Sequence, residues 1–337
     1  MESDQSGKNL WVAKQKFVSL LSTLSTGDDK DFLDWVIEQY SMLLTGDGSY
    51  AYGNKSMAPF YQEYLNGEQK LLSIKEDLCS QLPFDGSCSS ETVYQPEVGK
   101  NSDCDPTTTV VIDSFLYDED DIEMLCDQNL FNRNYCKKCG SHNTAPLTLI
   151  SHSMSVLQMK YIFKNALPKL GYIPDATILD VGSRLGAVLY GAYFFSHCKR
   201  IVGVEMNKEL CLLQNQIIHK YSLGDRIEVF CNDICNAGML LQEADIIILN
   251  NTFEFFLKRD AQISTWKNIR RNLSKSGSIL ITIPSLEESL CIGDGGKEIM
   301  DIHSWLVPLI VNANDLSLNY SEDDLQELNM IHFYKVK

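Results

Sequence analysis

Four short apolar runs in the second half of the chain each end in a residue able to hold a polar ligand. ILDVGSRLG carries Asp180 into a turn containing Gly182 and Gly186, and IVGVEMN ends on Glu205. VFCNDI leads to Asp233 with Ile234, and ADIIILNN leads to Asn250 and Asn251, followed by Glu254. Glycines in such a turn let backbone approach a ligand closely, and a helix beginning just beyond it offers free N–H groups. Glu205 follows Asp180 by one crossover's length, so its carboxylate can accept both hydroxyls of a ribose. Asp233 can accept from the exocyclic amino group of adenine. A dinucleotide turn is a poorer reading, because G-x-G-x-x-G needs a second glycine where this chain has Arg184.

These residues need a scaffold that brings strand ends together. From Ile178 onward, short apolar runs alternate with longer helical patterns, the signature of a parallel sheet with crossover helices. The pattern predicts strands at 177–181, 200–204, 226–230, 244–250, 277–284 and 329–336. It predicts helices at 185–197, 207–222, 236–242 and 260–274. An amphipathic helix is expected over 151–167, stopped by Pro168. The fold class is therefore α/β.

The first part of the chain differs in composition. Residues 1–82 read as an acidic helical region and 83–108 as a linker or loop rich in Ser, Gly, Pro, Asp and Thr. A strand and a Cys-rich connecting segment follow over 109–150, and 151–337 form the domain with the candidate pocket. The formal charge is −16, and residues 1–135 hold 24 acids against 9 Lys and Arg. That balance argues against nucleic acid and suits a basic protein partner or simple solubility. Within CKKCGSH, Cys136 and Cys139 have spacing that can bind zinc, although a complete site needs two more ligands, for which Cys126, His142 and His152 are nearest and Cys104 further off. With no signal segment and no apolar stretch of membrane length, the chain reads as intracellular, cytoplasmic or nuclear, with its 11 cysteines reduced.

The order D-x-G-x-x-x-G, VGVE, ND and a polar pair after the fourth strand resembles the class I S-adenosylmethionine-dependent methyltransferases. The resemblance covers about residues 150–337 and implies their Rossmann-like sheet, mostly parallel with an antiparallel last strand. It implies S-adenosylmethionine as cofactor, with Asp180, Gly182, Ser183, Arg184 and Gly186 around the methionine part. It also implies Glu205 and Met206 at the ribose, Asp233 and Ile234 at the adenine, and Asn250 at the reacting end. Arg184 stands where the family usually has glycine. There it would crowd the cofactor, turn to solvent, or hold the methionine carboxylate. The run LNNTFEFF resembles histone lysine methyltransferases of the disruptor-of-telomeric-silencing type. It implies Asn250, Asn251 and Glu254 as catalytic candidates but carries no histone specificity. The asparagine carbonyls suit an amine or amide nitrogen, and the acidic N-terminal region favours a protein acceptor. An inactive methyltransferase-like scaffold is the alternative.

Overall fold

The computed structural model describes residues 58–96, 104–105, 107–137, 144–171, 175–250, 253–290, 300–311 and 320–337. The chain divides into two compact units, 1–66 with 312–325 and 67–311 with 326–337. Residues 83–150 fall in the second of these units, with the sheet.

In chain order, helix α1 (Ala58–Cys79) leads through an irregular segment to β1 (Thr109–Val111) and α2 (Glu119–Asp127). Three short strands follow, β2 (Asn134–Cys136), β3 (Thr144–Pro146) and β4 (Thr148–Ile150), and then helix α3 (Val156–Lys160). The acidic run at 118–123 begins α2, where Asp118 and Asp121 form a reciprocal cap and carboxylates meet the positive end of the helix dipole. Pro168 does not end α3 outright. The helix widens into a π turn over Tyr161–Ala166, in which Leu167 N–H bonds to Ile162, and a last turn spans Leu167–Lys169. Widening relieves the ring-to-carbonyl clash that proline imposes on a regular helix.

The sheet then forms with β5 (Thr177–Val181), α4 (Ala187–Phe195), β6 (Arg200–Glu205), α5 (Lys208–Lys220), β7 (Ile227–Cys231), α6 (Gly238–Glu243) and β8 (Ile246–Asn250). It is completed by α7 (Arg259–Asn272), β9 (Ile279–Ile283), α8 (Leu286–Leu290), β10 (Leu306–Leu309) and β11 (His332–Val336). Seven strands lie in the order β10-β11-β9-β8-β5-β6-β7. The run from β7 to β9 is parallel, and β11 is antiparallel to both neighbours. This is the α/β arrangement expected from the sequence, a mostly parallel sheet with an antiparallel last strand. Strand β10 and helix α8 had no counterpart in the pattern. β10 contains Pro308 and sits at the sheet edge, where a missing N–H is tolerated.

The core explains why these runs become strands. Ile178, Leu179, Ile201, Val202, Ile246, Ile247, Ile248, Leu280 and Ile281 are all buried to within 2% of complete. Helices cover both faces of such a sheet, so its strands read as continuous apolar runs rather than alternating ones. Helix α4 is almost wholly buried as well, in keeping with its lack of charge. From β5 the chain moves outward through β6 and β7, then returns to the other side of β5 as β8. That reversal opens a crevice at the C-terminal ends of β5 and β8, the place where open α/β sheets bind ligands.

Candidate functional site

A cavity of about 850 Å³ opens at those strand ends. Of the residues read from sequence, Gly182, Arg184, Glu205, Met206, Asp233, Ile234 and Asn250 line it. Ser183 and Gly186 shape the turn without lining the cavity. The Ser183 hydroxyl donates to Gln214 Oε1 at 2.8 Å, and Gln214 Nε2 donates to the Arg184 carbonyl at 2.8 Å. Gly186 lies at φ +85°, and a Cβ there would stand 2.6 Å from the Tyr190 ring and hydroxyl. Gly203 on β6 is required for a related reason: its Cβ would meet Ser183 Oγ at 2.8 Å, closing off the turn.

Glu205 is the most fully organised acid. Its Oε2 accepts from Arg184 N–H at 2.9 Å and its Oε1 from Asn207 N–H at 2.8 Å. Each oxygen keeps a second lone pair for a ligand hydroxyl. Burial and the nearby Glu91 carboxylate push Glu205 above the usual carboxylate range, against the pull of those N–H groups. Beneath it, burial reinforced by the Glu205 charge raises Asp180 to about 8. Asp180 is thus largely protonated at neutral pH, and a cation placed beside it favours the ionised form. At the far side, Asp233 is exposed and caps the turn after β7 through Cys235 N–H at 2.8 Å, and Ile234 is buried behind it.

Arg184 lines the cavity but does not turn to solvent, and its guanidinium is taken up by protein partners. It is 7% exposed, and φ +45° turns its side chain away from the carboxylate that its own N–H holds. The guanidinium pairs with Asp113 at 2.8 Å and Glu91 at 3.1 Å and donates to the carbonyls of Asp85 and Gly86 at 3.1 and 3.0 Å. Asp113 is completely buried and also accepts from Ser153 Oγ and the N–H groups of Phe115 and Leu116. The arginine therefore clasps the irregular segment 84–94 onto the turn after β5. Ser90, Glu91, Thr92 and Tyr94 of that segment form a wall of the cavity. Further ties fasten it: Ser90 Oγ donates to Glu209 at 2.7 Å, and Tyr94 N–H donates to the Phe255 carbonyl at 2.7 Å. Residues 83–94 are a loop, as their composition suggested, but a load-carrying part of the site.

A second cavity of about 650 Å³ adjoins the first, and Asn250 and Phe253 line both. Glu254 belongs to this second cavity, together with Arg259, Glu288 and Glu327. Its floor is aromatic, with Phe253 set edge-on to Trp266 at 5.5 Å between centroids. Asn251 lies outside the described residues, as do Cys139 and His142. Cys136 is exposed on β2, and among the described residues no group of three His, Cys, Asp or Glu could hold a metal ion. His152, a reserve zinc ligand on spacing alone, lines the first cavity instead. Among the described residues no helix is long and apolar enough to cross a membrane.

Sequence reasoning missed Asp113, Glu91, Tyr94 and the role of His152. Asp113 had a visible signal, an acid ending the apolar run TVVI just as Asp180 ends ILD. Glu91 and Tyr94 had none, because only the fold brings segment 84–94 over the strand tips.

Residues 179–281 match the family model described as a methyltransferase domain. The carboxy-S-adenosyl-L-methionine synthase of Psychromonas ingrahamii is 26% identical over 113 residues, covering 33% of this chain and 45% of that protein. The synthase of the same name from Mannheimia succiniciproducens is 26% identical over 110 residues, covering 32% and 44%. The chain thus spans less than half the length of the curated relatives it matches. Solved structures with overlapping folds include an RNA methyltransferase of Salinibacter ruber in complex with S-adenosyl-L-homocysteine (18% identity, 36% of this chain and 72% of that one, TM-score 0.29). Another is the precorrin-6y C5,15-methyltransferase of Geobacter metallireducens (14% identity, 36% and 59%, TM-score 0.29). Residues 179–281 therefore carry a methyltransferase-type domain.

Proposed function

We propose that the chain binds S-adenosylmethionine in the first cavity and transfers its methyl group to a nitrogen acceptor in the second. One observation carries the reading: Glu205, held by two backbone N–H groups at the tip of β6, shares one cavity with the Gly182 turn, Asp233 and Asn250. The donors and acceptors fit a nucleoside with a cationic amino-acid tail. Glu205 offers two oxygens to ribose hydroxyls, and Asp233 and Ile234 flank the place of the base. The volume suits one ligand of that size.

When bound, S-adenosylmethionine supplies a methyl group on an electron-poor sulfonium. The chain's residues have the tasks of alignment and water exclusion. Asn250, at the junction of the cavities, can accept a hydrogen bond from the acceptor's N–H and so leave its lone pair directed at the methyl group. Phe253 and Phe256 exclude water from the junction. Glu254, Glu288 and Glu327 outnumber Arg259 in the second cavity, which favours an amine over an anionic acceptor.

The finer reading is a nitrogen on a protein side chain. It rests on the acidic N-terminal region and on the run from Asn250 to Phe256, of which 251 and 252 lie outside the described residues. A zinc site at Cys136, Cys139 and His142 rests on spacing alone. The alternative of an inactive scaffold was motivated by Arg184; its ion pairs with Asp113 and Glu91 support the enzyme reading over it. A second reading comes from the two curated relatives, named as synthases of a carboxylated S-adenosylmethionine: here the cofactor itself would be the molecule altered.

Incubation of the full chain with methyl-labelled S-adenosylmethionine and cell extract separates these readings. Transfer predicts S-adenosylhomocysteine and label in a protein or small-molecule fraction, both lost in Glu205→Ala. Cofactor alteration predicts a heavier labelled nucleoside and no S-adenosylhomocysteine. Absence of either product would overturn the enzyme reading.

A further inference from the structure

His152 follows β4 and forms part of the wall of the first cavity. It is 7% exposed, and among the described residues neither ring nitrogen has a hydrogen-bond partner. Phe255 and Phe256 pack against the imidazole with centroids at 4.8 and 5.1 Å, fixing the ring and keeping both nitrogens from bulk water. A buried polar group without a partner is destabilising, and this ring has two such atoms. Native folds keep such groups satisfied, so an orphaned pair in a cavity wall calls for a ligand.

The surroundings indicate which part of a ligand. The charged groups lining this cavity are mainly acids: Glu91, Glu205, Glu209 and Asp233, with Lys208 exposed on the ribose side. A carboxylate is repelled across most of this surface. Near His152 the field differs, because Arg184 lies close enough to disfavour protonation of the imidazole, with Asp85 opposing it weakly. Burial is the larger cause, and the ring is held at about 4, so it is neutral at pH 7. A neutral imidazole still has one N–H to donate.

Resting on the S-adenosylmethionine reading above, we infer that His152 receives the carboxylate of the cofactor's amino-acid tail through an imidazole N–H. His152 is a binding residue for the tail, leaving Glu205 to meet the hydroxyl part of the same molecule. The assignment also accounts for the aromatic packing: Phe255 and Phe256 orient a ring whose nitrogens have no hydrogen-bond partner among the described residues.

Calorimetry with two probes tests this on the full chain. S-adenosylhomocysteine carries the amino-acid tail, and 5′-methylthioadenosine has the same nucleoside and thioether without it. His152→Phe keeps the ring and removes both nitrogens. It should weaken S-adenosylhomocysteine by about 10-fold or more, the value of a hydrogen bond to a charged group, and leave methylthioadenosine within about 2-fold. His152→Asn, which restores a donor, should recover part of the loss. Equal weakening of both probes would make His152 structural and overturn the inference, as would unchanged binding of S-adenosylhomocysteine. If the unaltered protein binds neither probe, the cofactor reading itself fails, and this inference with it.

Discussion

Replacing Arg184 by glycine is the most informative single change, because it restores the small residue usual at that turn while removing the clasp. At φ +45° glycine relieves backbone strain, worth about 1 kcal/mol. Against that, the guanidinium leaves two carboxylates with side chains 7% and 0% exposed, Glu91 and Asp113, without their cation. Breaking a buried pair by removing one partner costs about 3–5 kcal/mol. The net loss should be roughly 2–4 kcal/mol, or on the order of 10 °C in the melting temperature of a unit this size. The deficit should also depend on pH. Burial already raises Asp113, and losing the arginine raises it further. A group whose folded pKa is raised costs stability above its unfolded value and none once protonated. The gap between Arg184→Gly and the unaltered protein should therefore narrow from pH 8 to pH 5. Thermal unfolding at both pH values, with hydrogen exchange of residues 84–94, reads this out. Adding Asp113→Asn should recover part of the loss, since the two changes share a partner. If Arg184→Gly were as stable as the unaltered protein, with unchanged exchange over 84–94, the clasp would have no energetic reality.

Other expectations follow from the same geometry. Gly186→Ala should destabilise by more than a typical surface change, because Cβ would fall 2.6 Å from Tyr190 at φ +85°; Tyr190→Leu should relieve part of it, measured by chemical denaturation. Asp180, raised to about 8, makes the ligand-free protein lose stability as pH rises from about 4 to 8. Asp180→Asn should flatten that slope in melting curves and weaken binding of a cationic ligand. Asn250→Ala should lower the rate of methyl transfer with little effect on S-adenosylmethionine affinity, a split that steady-state and binding measurements separate. Equal loss in both would place Asn250 in cofactor binding.

Much of this fold could be read from residue order because its central strands are buried on both faces. Runs such as ADIIILN admit few alternatives when turns and helices flank them, and the five parallel strands fall within two or three residues of expectation. The site was legible to the same depth wherever a residue sits at a strand tip: Asp180, Glu205, Asp233 and Asn250 are placed by their own strands. What could not be read depends on distant segments meeting. Arg184 finds Glu91 and Asp113 from positions 93 and 71 residues away, and no local pattern records such pairings. Segment 84–94 lacks periodicity because its backbone bonds go to side chains and loops rather than to a ladder. Pro168 misled for a local reason, since a π turn accommodates it without ending the helix.

The central claim is that Glu205 and the turn after β5 form an S-adenosylmethionine site. Titration calorimetry of the full chain with S-adenosylmethionine tests it most directly. One molecule should bind per chain, with competition by S-adenosylhomocysteine and an affinity at least about 100-fold lower in Glu205→Ala, where two charge-assisted hydrogen bonds are lost. Saturable binding that Glu205→Ala leaves unchanged, or no binding to the unaltered protein, would contradict it.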